Sequence, residues 1–347
     1  MTLLEQEIRE QPQVAQRLLD RLLPGIDELA AVFRSDDVVG VHVVGRGSSD
    51  NVARYAQYVW GLRLGLPVTL AAPSISSVYG RGLDLRSQAV VAISQSGSSP
   101  DVVGVVEQAR AQGRPTLAIT NDPESALAAA AERVLDLGVG PERSVAATKT
   151  YTSSLLAVAL ITAALGGRLS EDARDLAQVP DALETALDAV DVTEAVELLR
   201  PHHRAVCVGR GYNLASAHET GLKLTELTGT LVATYSPADL LHGPIAAVSA
   251  EVPAVLVAPE EPARASVLEI VPELERRGAP ILVAGSAGAA AAFGSRGLTF
   301  PPEAQLADWL SPLTAIVPGQ LLAWRLAESR GIEVDRPGEL RKVTRTR

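Results

Sequence analysis

Two groups of residues in this 347-residue sequence have the types and spacing for chemistry. The first, Ser94-Gln95-Ser96-Gly97-Ser98-Ser99-Pro100-Asp101, follows the strand-like run Ala89-Val90-Val91-Ala92-Ile93 and opens an amphipathic helix. Ser99 suits the N-cap, Pro100 the first helical position and Asp101 the first turn. Backbone N–H groups freed at such a helix start, with several Ser hydroxyls, can hold a phosphate without any Lys or Arg. The plain alternative is a Ser-rich turn without a ligand. The second group is Glu219, Lys223 and Glu226, spaced by four and then three residues, so that one helical face carries all three. From spacing alone the set also reads as an exposed Glu/Lys face with ordinary pairing. His242, set before Gly243-Pro244, reads alone as a solvated loop residue; beside a carboxylate helix and an anion cradle it is a candidate proton-transfer group near neutral pH.

These residues need elements to position them. Short Val/Ile/Leu runs alternate with longer Ala/Leu/Glu/Arg segments, the pattern of an α/β fold with a parallel sheet covered by helices on both faces. It predicts strands over 39–44, 68–71, 89–93, 116–119 and 133–136, a first helix over 3–10 that resumes after Pro12, and a long helix over 149–164. A polar, acidic stretch over 169–191 with Pro180 inside it reads as a helical connector. Beyond it the pattern restarts. Val41-His42-Val43-Val44-Gly45-Arg46-Gly47-Ser48 is echoed by Arg204-Ala205-Val206-Cys207-Val208-Gly209-Arg210-Gly211-Tyr212, with further strands over 254–258 and 281–284. A tandem duplication is therefore expected: an N-terminal helical segment 1–25, a first α/β unit 26–168, a connector 169–192, a second unit 193–330 and a tail 331–347. Where the first unit has Ser94-Gln95-Ser96-Gly97, the second has Pro259-Glu260-Glu261-Pro262. Acidic residues repel phosphate, so only the first copy is expected to hold the anion. The Gly-Arg-Gly turns lack the Gly-x-Gly-x-x-Gly spacing, and no nicotinamide cofactor is implied.

Composition narrows the classes. The length suits two domains of about 150 residues. A net charge of -10 argues against a general nucleic-acid binder, and the basic stretch 341–347 is local and short. One cysteine, Cys207, excludes an intrachain disulfide framework and supplies no metal site, so a reducing cytoplasm is the expected compartment. The N-terminus lacks a signal-peptide core, and the apolar stretch 153–164 is too short to span a membrane.

Taken together, the segments Glu7-Ile8-Arg9-Glu10-Gln11-Pro12, Gly47-Ser48-Ser49, 93–99, Val145-Ala146-Ala147-Thr148-Lys149, 219–244 and the tail 335–344 make the chain resemble the double phosphosugar-isomerase (SIS) proteins over almost its full length. The likeness is greatest to the isomerase half of glucosamine-6-phosphate synthase and to stand-alone glucosamine-6-phosphate deaminases. The resemblance implies two tandem SIS domains, each a three-layer α/β/α unit. It also implies that Ser49, Ser94, Gln95, Ser96 and Ser99 hold the sugar phosphate, with Val145 and Ala147 beside the sugar. Glu226 matches the base that moves a proton between C1 and C2, and His242 the group that opens the ring. Glu219 and Lys223 match their supporting neighbours, and Lys342 a lysine able to form a Schiff base with an open-chain ketose. In the related enzymes the His comes from the neighbouring subunit, which implies a homodimer. The chemistry suits these types: an aldose–ketose shift needs a ring-opening acid/base, one proton-carrying carboxylate and a fixed phosphate handle, and neither metal nor cofactor.

Departures from the synthase pattern shape the expected reaction. Met1 leads directly into the helix before Gln11-Pro12, without the synthases' glutaminase, so the expected direction is release: glucosamine 6-phosphate and water giving fructose 6-phosphate and ammonia. Ala147 stands where the synthases commonly have Ser, Arg341 where a small residue precedes the lysine, and Lys342-Val343-Thr344 looks more like the deaminases. Arg341 itself reads as a solvated residue. The alternatives are a fructosamine-phosphate deglycase, a plain phosphosugar isomerase and, from another class, a non-catalytic sugar-phosphate sensor. A sensor would keep 94–99 while losing Glu226, His242 or Lys342, and all three are present.

Overall fold

The computed structural model describes residues 1–34, 37–290, 297–301, 304–335 and 342. Among these, ten strands make two separate parallel sheets. The first contains β1 (Gly40–Val44), β2 (Val68–Leu70), β3 (Gln88–Ser94), β4 (Thr116–Thr120) and β5 (Arg133–Asp136), in the order β2-β1-β3-β4-β5. The second contains β6 (Arg204–Val208), β7 (Leu231–Tyr235), β8 (Ala254–Ala258), β9 (Ile281–Ser286) and β10 (Gly297–Phe300). Its order, β10-β9-β8-β6-β7, is that of the first sheet read from the other end. Identical strand order on top of the echoed Gly-Arg-Gly turns is what a duplicated α/β unit produces.

Central strands read as unbroken apolar runs because helices cover both of their faces: β1 and β8 are buried at every residue. The edge strands β7 and β10 escaped the sequence reading. Leu231 of β7 is exposed and Thr234 interrupts the run, so an edge strand with one wet side shows no continuous apolar signal. The second helix starts at Gln11 rather than after Pro12, because a proline in a helix's first turn forfeits an N–H that has no partner there. Pro180 does the same in the Val179–Ala189 helix, which with Leu169–Ala177 makes the expected connector helical.

One compact unit gathers Met1–Pro12, Arg143–Thr148 and the described residues of Gln178–Leu340, around the second sheet. Its core joins Val206, Val208, Leu256, Val283, Leu240 and Leu274. The other gathers Gln13–Glu142, Lys149–Ala177 and, from 341–347, the described Lys342, around the first sheet. Its Lys149–Leu165 helix is buried from Lys149 through Ala164, and from Leu155 onward every residue but Thr162 is apolar, as suits a central helix. The Trp60 indole N–H donates to Thr162 Oγ1 of that helix at 3.1 Å, satisfying a buried donor that would otherwise cost about 1–3 kcal/mol. Among the described residues no helix is long and apolar enough to cross a membrane.

Candidate functional site

In the first sheet β1 and β3 are neighbours, with Val44 opposite Ala92. From their carboxyl ends the chain departs to opposite sides, towards β2 and towards β4. Open α/β sheets gather ligands at such a switch point. The 94–99 turn leaves β3 there, and the Gly45-Arg46-Gly47 turn leaves β1 to start the Ser48–Leu64 helix.

Internal bonds set the shape of the 94–99 turn. Gly97 N–H donates to Ser94 Oγ (3.1 Å), the Ser96 and Ser98 hydroxyls share a bond (2.8 Å), and Gln95 O accepts from Asn121 N–H (3.1 Å). Gly97 has φ +57°, and a Cβ there would stand 2.0 Å from Ser125 Oγ, so the turn admits only glycine. Ser99 is the N-cap of the Pro100–Ala111 helix by backbone, but its hydroxyl makes no capping bond. Ser49 lies half-buried in the first turn of its own helix. Its backbone crosses so near Gly45 that a Cβ would come within 2.6 Å of it.

A charged pair that the serine motif does not contain stands at the start of the helix that follows it. Arg46 reaches from the β1 turn to the first turn after Ser99, with Nε 2.7 Å and Nη2 2.6 Å from Asp101 Oδ2. In the same unit Lys342, the described residue of the tail segment 336–347, meets Glu142 Oε2 at 2.6 Å. Glu142 also accepts from Thr150 N–H (3.0 Å) and Thr150 Oγ1 (2.7 Å), so the lysine pairs with a fully buried carboxylate that Thr150 holds in place. Arg341 lies outside the described residues.

The other unit holds the remaining residues. Glu7, buried in the Leu3–Arg9 helix, accepts from Arg143 N–H and from the N–H and hydroxyl of Ser144, pinning the Arg143–Thr148 segment. Ser144, Ala146 and Thr148 of that segment are buried, while Val145 and Ala147 are half-buried, the alternation of extended backbone. In the Leu214–Thr228 helix, Lys223 Nζ stands 3.3 Å from Glu219 Oε1 and 2.5 Å from Glu226 Oε2. The exposed-face reading is thereby overturned: the side chains of Glu219 and Lys223 are 0% and 1% exposed, while that of Glu226 keeps 28%. Burial pulls the Lys223 ammonium pKa down, but the two carboxylates outweigh it and hold it above the usual lysine range. Glu226 is therefore an accessible carboxylate anchored to a fixed buried cation. His242 caps the Pro237–Leu241 helix by its backbone and is exposed; its ring bonds to none of the three among the described residues.

The second sheet's switch point, between β6 and β8, is filled from within. Asn213 Nδ2 donates to Glu261 Oε1 (3.2 Å) and Ser311 Oγ (2.7 Å), and a Cβ on Gly211 would meet Glu261 Oε2 at 3.1 Å. Burial, opposed by the Asn213 bonds and aided by the Asp308 charge, pushes this carboxyl up to about 7. An acid whose folded pKa lies above its unfolded value stabilises the fold most at low pH. Stability should fall by about 3 kcal/mol as pH rises from about 4.5 through 7. Glu261→Gln should flatten that decline in thermal unfolding followed across the range; an unchanged decline would refute the assignment.

Sequence reasoning missed Arg46 and Asp101 as a pair, and it missed Glu142. Arg46 and Asp101 are 55 residues apart, and Glu142 and Lys342 are 200 apart. Only the Gly-Arg-Gly turn and the acid in a helix's first turn hinted at the former.

Comparison with known proteins places this geometry. The SIS domain family matches residues 40–164 and 198–321. The glutamine–fructose-6-phosphate aminotransferase (isomerizing) of Methanothermobacter thermautotrophicus is 31% identical over 340 residues, covering 97% of this chain and 56% of that protein. The chain thus spans about half the length of the curated relatives it matches. A Silicibacter pomeroyi structure, provisionally assigned as a phosphosugar isomerase, superposes with a TM-score of 0.84 at 33% identity, covering 96% of this chain and 99% of that one. Glucosamine-6-phosphate deaminase of Thermotoga maritima superposes with a TM-score of 0.79, covering 99% of this chain and 100% of that one; at 22% identity this is a likeness of fold. With one match on each of two identically ordered parallel sheets, the chain belongs to the SIS domain family and carries two copies of that domain.

Proposed function

We propose that the chain is a phosphosugar aldose–ketose enzyme of the deaminating type, converting glucosamine 6-phosphate and water to fructose 6-phosphate and ammonia. The observation that carries this reading is Glu226: a partly exposed carboxylate on a buried lysine, in a chain whose other unit offers a serine-built anion cradle. Ser49, Ser94, Gln95, Ser96 and Ser99 hold the phosphate, and Val145 and Ala147 border the sugar. His242 protonates the ring oxygen and takes the C1 hydroxyl proton, opening the ring. Glu226 removes the proton from C2 and returns it to C1 while His242 gives a proton to O1 and takes one from the amine nitrogen, which turns the 2-amino aldose into a C2 imine. Lys342 Nζ, handing a proton to Glu142, attacks that imine and expels ammonia; water then releases the ketose and restores the amine.

Two of the proteins compared bear on this choice. One is named for fructose 6-phosphate amination with isomerisation, and another, of this fold and span, is named a glucosamine-6-phosphate deaminase. A homodimer that receives the exposed His242 loop of its partner, and a reducing compartment, belong to the same proposal. Burial raises the Cys207 thiol to about 12, leaving it inert there.

Incubating the purified chain with glucosamine 6-phosphate should yield equal amounts of ammonia and fructose 6-phosphate. Lys342→Ala should cut the yield at least about 10²-fold. Consumption of fructosamine 6-phosphate with no ammonia from the amino sugar would replace this reading by a deglycase, and binding without turnover by a sensor.

A further inference from the structure

We propose that Arg46 is the specificity-determining cation of the 94–99 cradle, held at its mouth by Asp101 and selecting dianionic phosphate esters over uncharged sugars. The proposal rests on the phosphosugar reading above and adds to it a residue that the serine motif does not contain.

The argument is electrostatic. Asp101 lies in the first turn of the helix whose N-cap is Ser99, its side chain is 0% exposed, and its Oδ1 already accepts the Val102 N–H at 3.0 Å. A carboxylate suits that helix end by itself. Close to a bound phosphate it would do harm, since like charges a few ångströms apart repel by about 1 kcal/mol even in bulk water and by several where water is excluded. Arg46 removes that obstacle. Its Nε and Nη2 share one Asp101 oxygen, which leaves Nη1 without a bond among the described residues, on a side chain that is 46% exposed. A fixed, half-exposed guanidinium with a spare donor edge is the group that recognises a phosphate through paired N–H bonds.

The internal repeat offers a control within the same chain. Arg210 of the echoed turn donates instead to Ser266 Oγ at 2.8 Å, and the turn after β8 carries Glu261 in place of serines. The Arg–Asp pair therefore accompanies the serine cradle and is missing where a carboxyl fills the switch point.

The test compares Asp101→Asn with the double variant Arg46→Ala, Asp101→Asn, so that no buried carboxylate is left unpaired. Calorimetric titration with fructose 6-phosphate and with inorganic phosphate, at low and at physiological salt, reads the affinity. Steady-state kinetics on glucosamine 6-phosphate separates KM from kcat, and melting temperature reports the fold. Removing Arg46 in the Asp101→Asn background should weaken both ligands by about tenfold or more and reduce the salt dependence. KM should rise in proportion while kcat stays within about threefold, and Arg46→Lys should recover part of the affinity. Affinities within twofold of Asp101→Asn, at an unchanged melting temperature, would overturn the proposal and leave the pair a tie between two turns. If the native chain binds phosphate esters and turns them over while Arg46 proves indifferent, only this inference falls. If the native chain binds neither ligand, the phosphosugar reading falls with it.

Discussion

Glu226→Gln should abolish turnover of glucosamine 6-phosphate by about 10²–10⁴-fold while leaving the fold and fructose 6-phosphate binding intact. The amide keeps the shape of the side chain and can still accept from Lys223, so packing around the helix survives; what it loses is the ability to take and return a proton. Because Lys223 sits 2.5 Å from Glu226 Oε2, the carboxylate's place is fixed before substrate arrives, and no ordering remains to be done in the transition state. The checks are ammonia release, calorimetric binding of fructose 6-phosphate, and exchange of the C1 proton of fructose 6-phosphate with solvent deuterium. Loss of release with undiminished exchange would move the proton shuttle to another residue.

The largest expected effect on stability belongs to Lys223. Its ammonium is 1% exposed, and Glu219 beside it is 0% exposed, so Lys223→Met strands a buried carboxylate. Breaking a buried pair in this way typically costs about 3–5 kcal/mol, a fall in melting temperature on the order of 10 °C. A second change, Glu219→Gln in the Lys223→Met background, should recover much of the loss, because both charges are then gone and only packing remains. The pH dependence has a definite sign. Lys223 is raised above its unfolded pKa of 10.5, so its stabilisation is complete below that pH and is lost as pH rises through the folded value. Native protein should therefore lose stability in the strongly alkaline range in a way that the double variant does not. Equal melting temperatures for native chain and Lys223→Met would show that the triad contributes nothing to the fold.

The two repeats differ at their switch points. At the first switch point Arg46 and Asp101 are paired beside a half-buried serine turn; at the second a carboxyl closes the site against Asn213. The duplicated α/β unit thus carries a serine turn in one copy and an internally satisfied polar network in the other. From Glu260 and Glu261 the sequence reading expected only the first copy to hold an anion, on the ground that acids repel phosphate. It did not anticipate that Glu261 would be buried with a pKa near neutrality.

Local periodicity, with the echoed Gly-Arg-Gly turns, determined the α/β class, the duplication, the central strands and the shared face of Glu219, Lys223 and Glu226. These depend on contacts within one strand or helix, and residue spacing encodes those contacts directly. Edge strand β7 was illegible for the same reason, since a half-solvated strand lacks a continuous apolar run. Tertiary structure alone decided what each group is worth. It buried the Glu–Lys helix that spacing left open to solvent, brought Arg46 onto Asp101, and set Glu142 beneath Lys342 from 200 residues away. Burial and long-range pairing arise from the packing of elements far apart in the chain, and on that packing depends whether an ionisable side chain is a solvated charge or an anchored reagent.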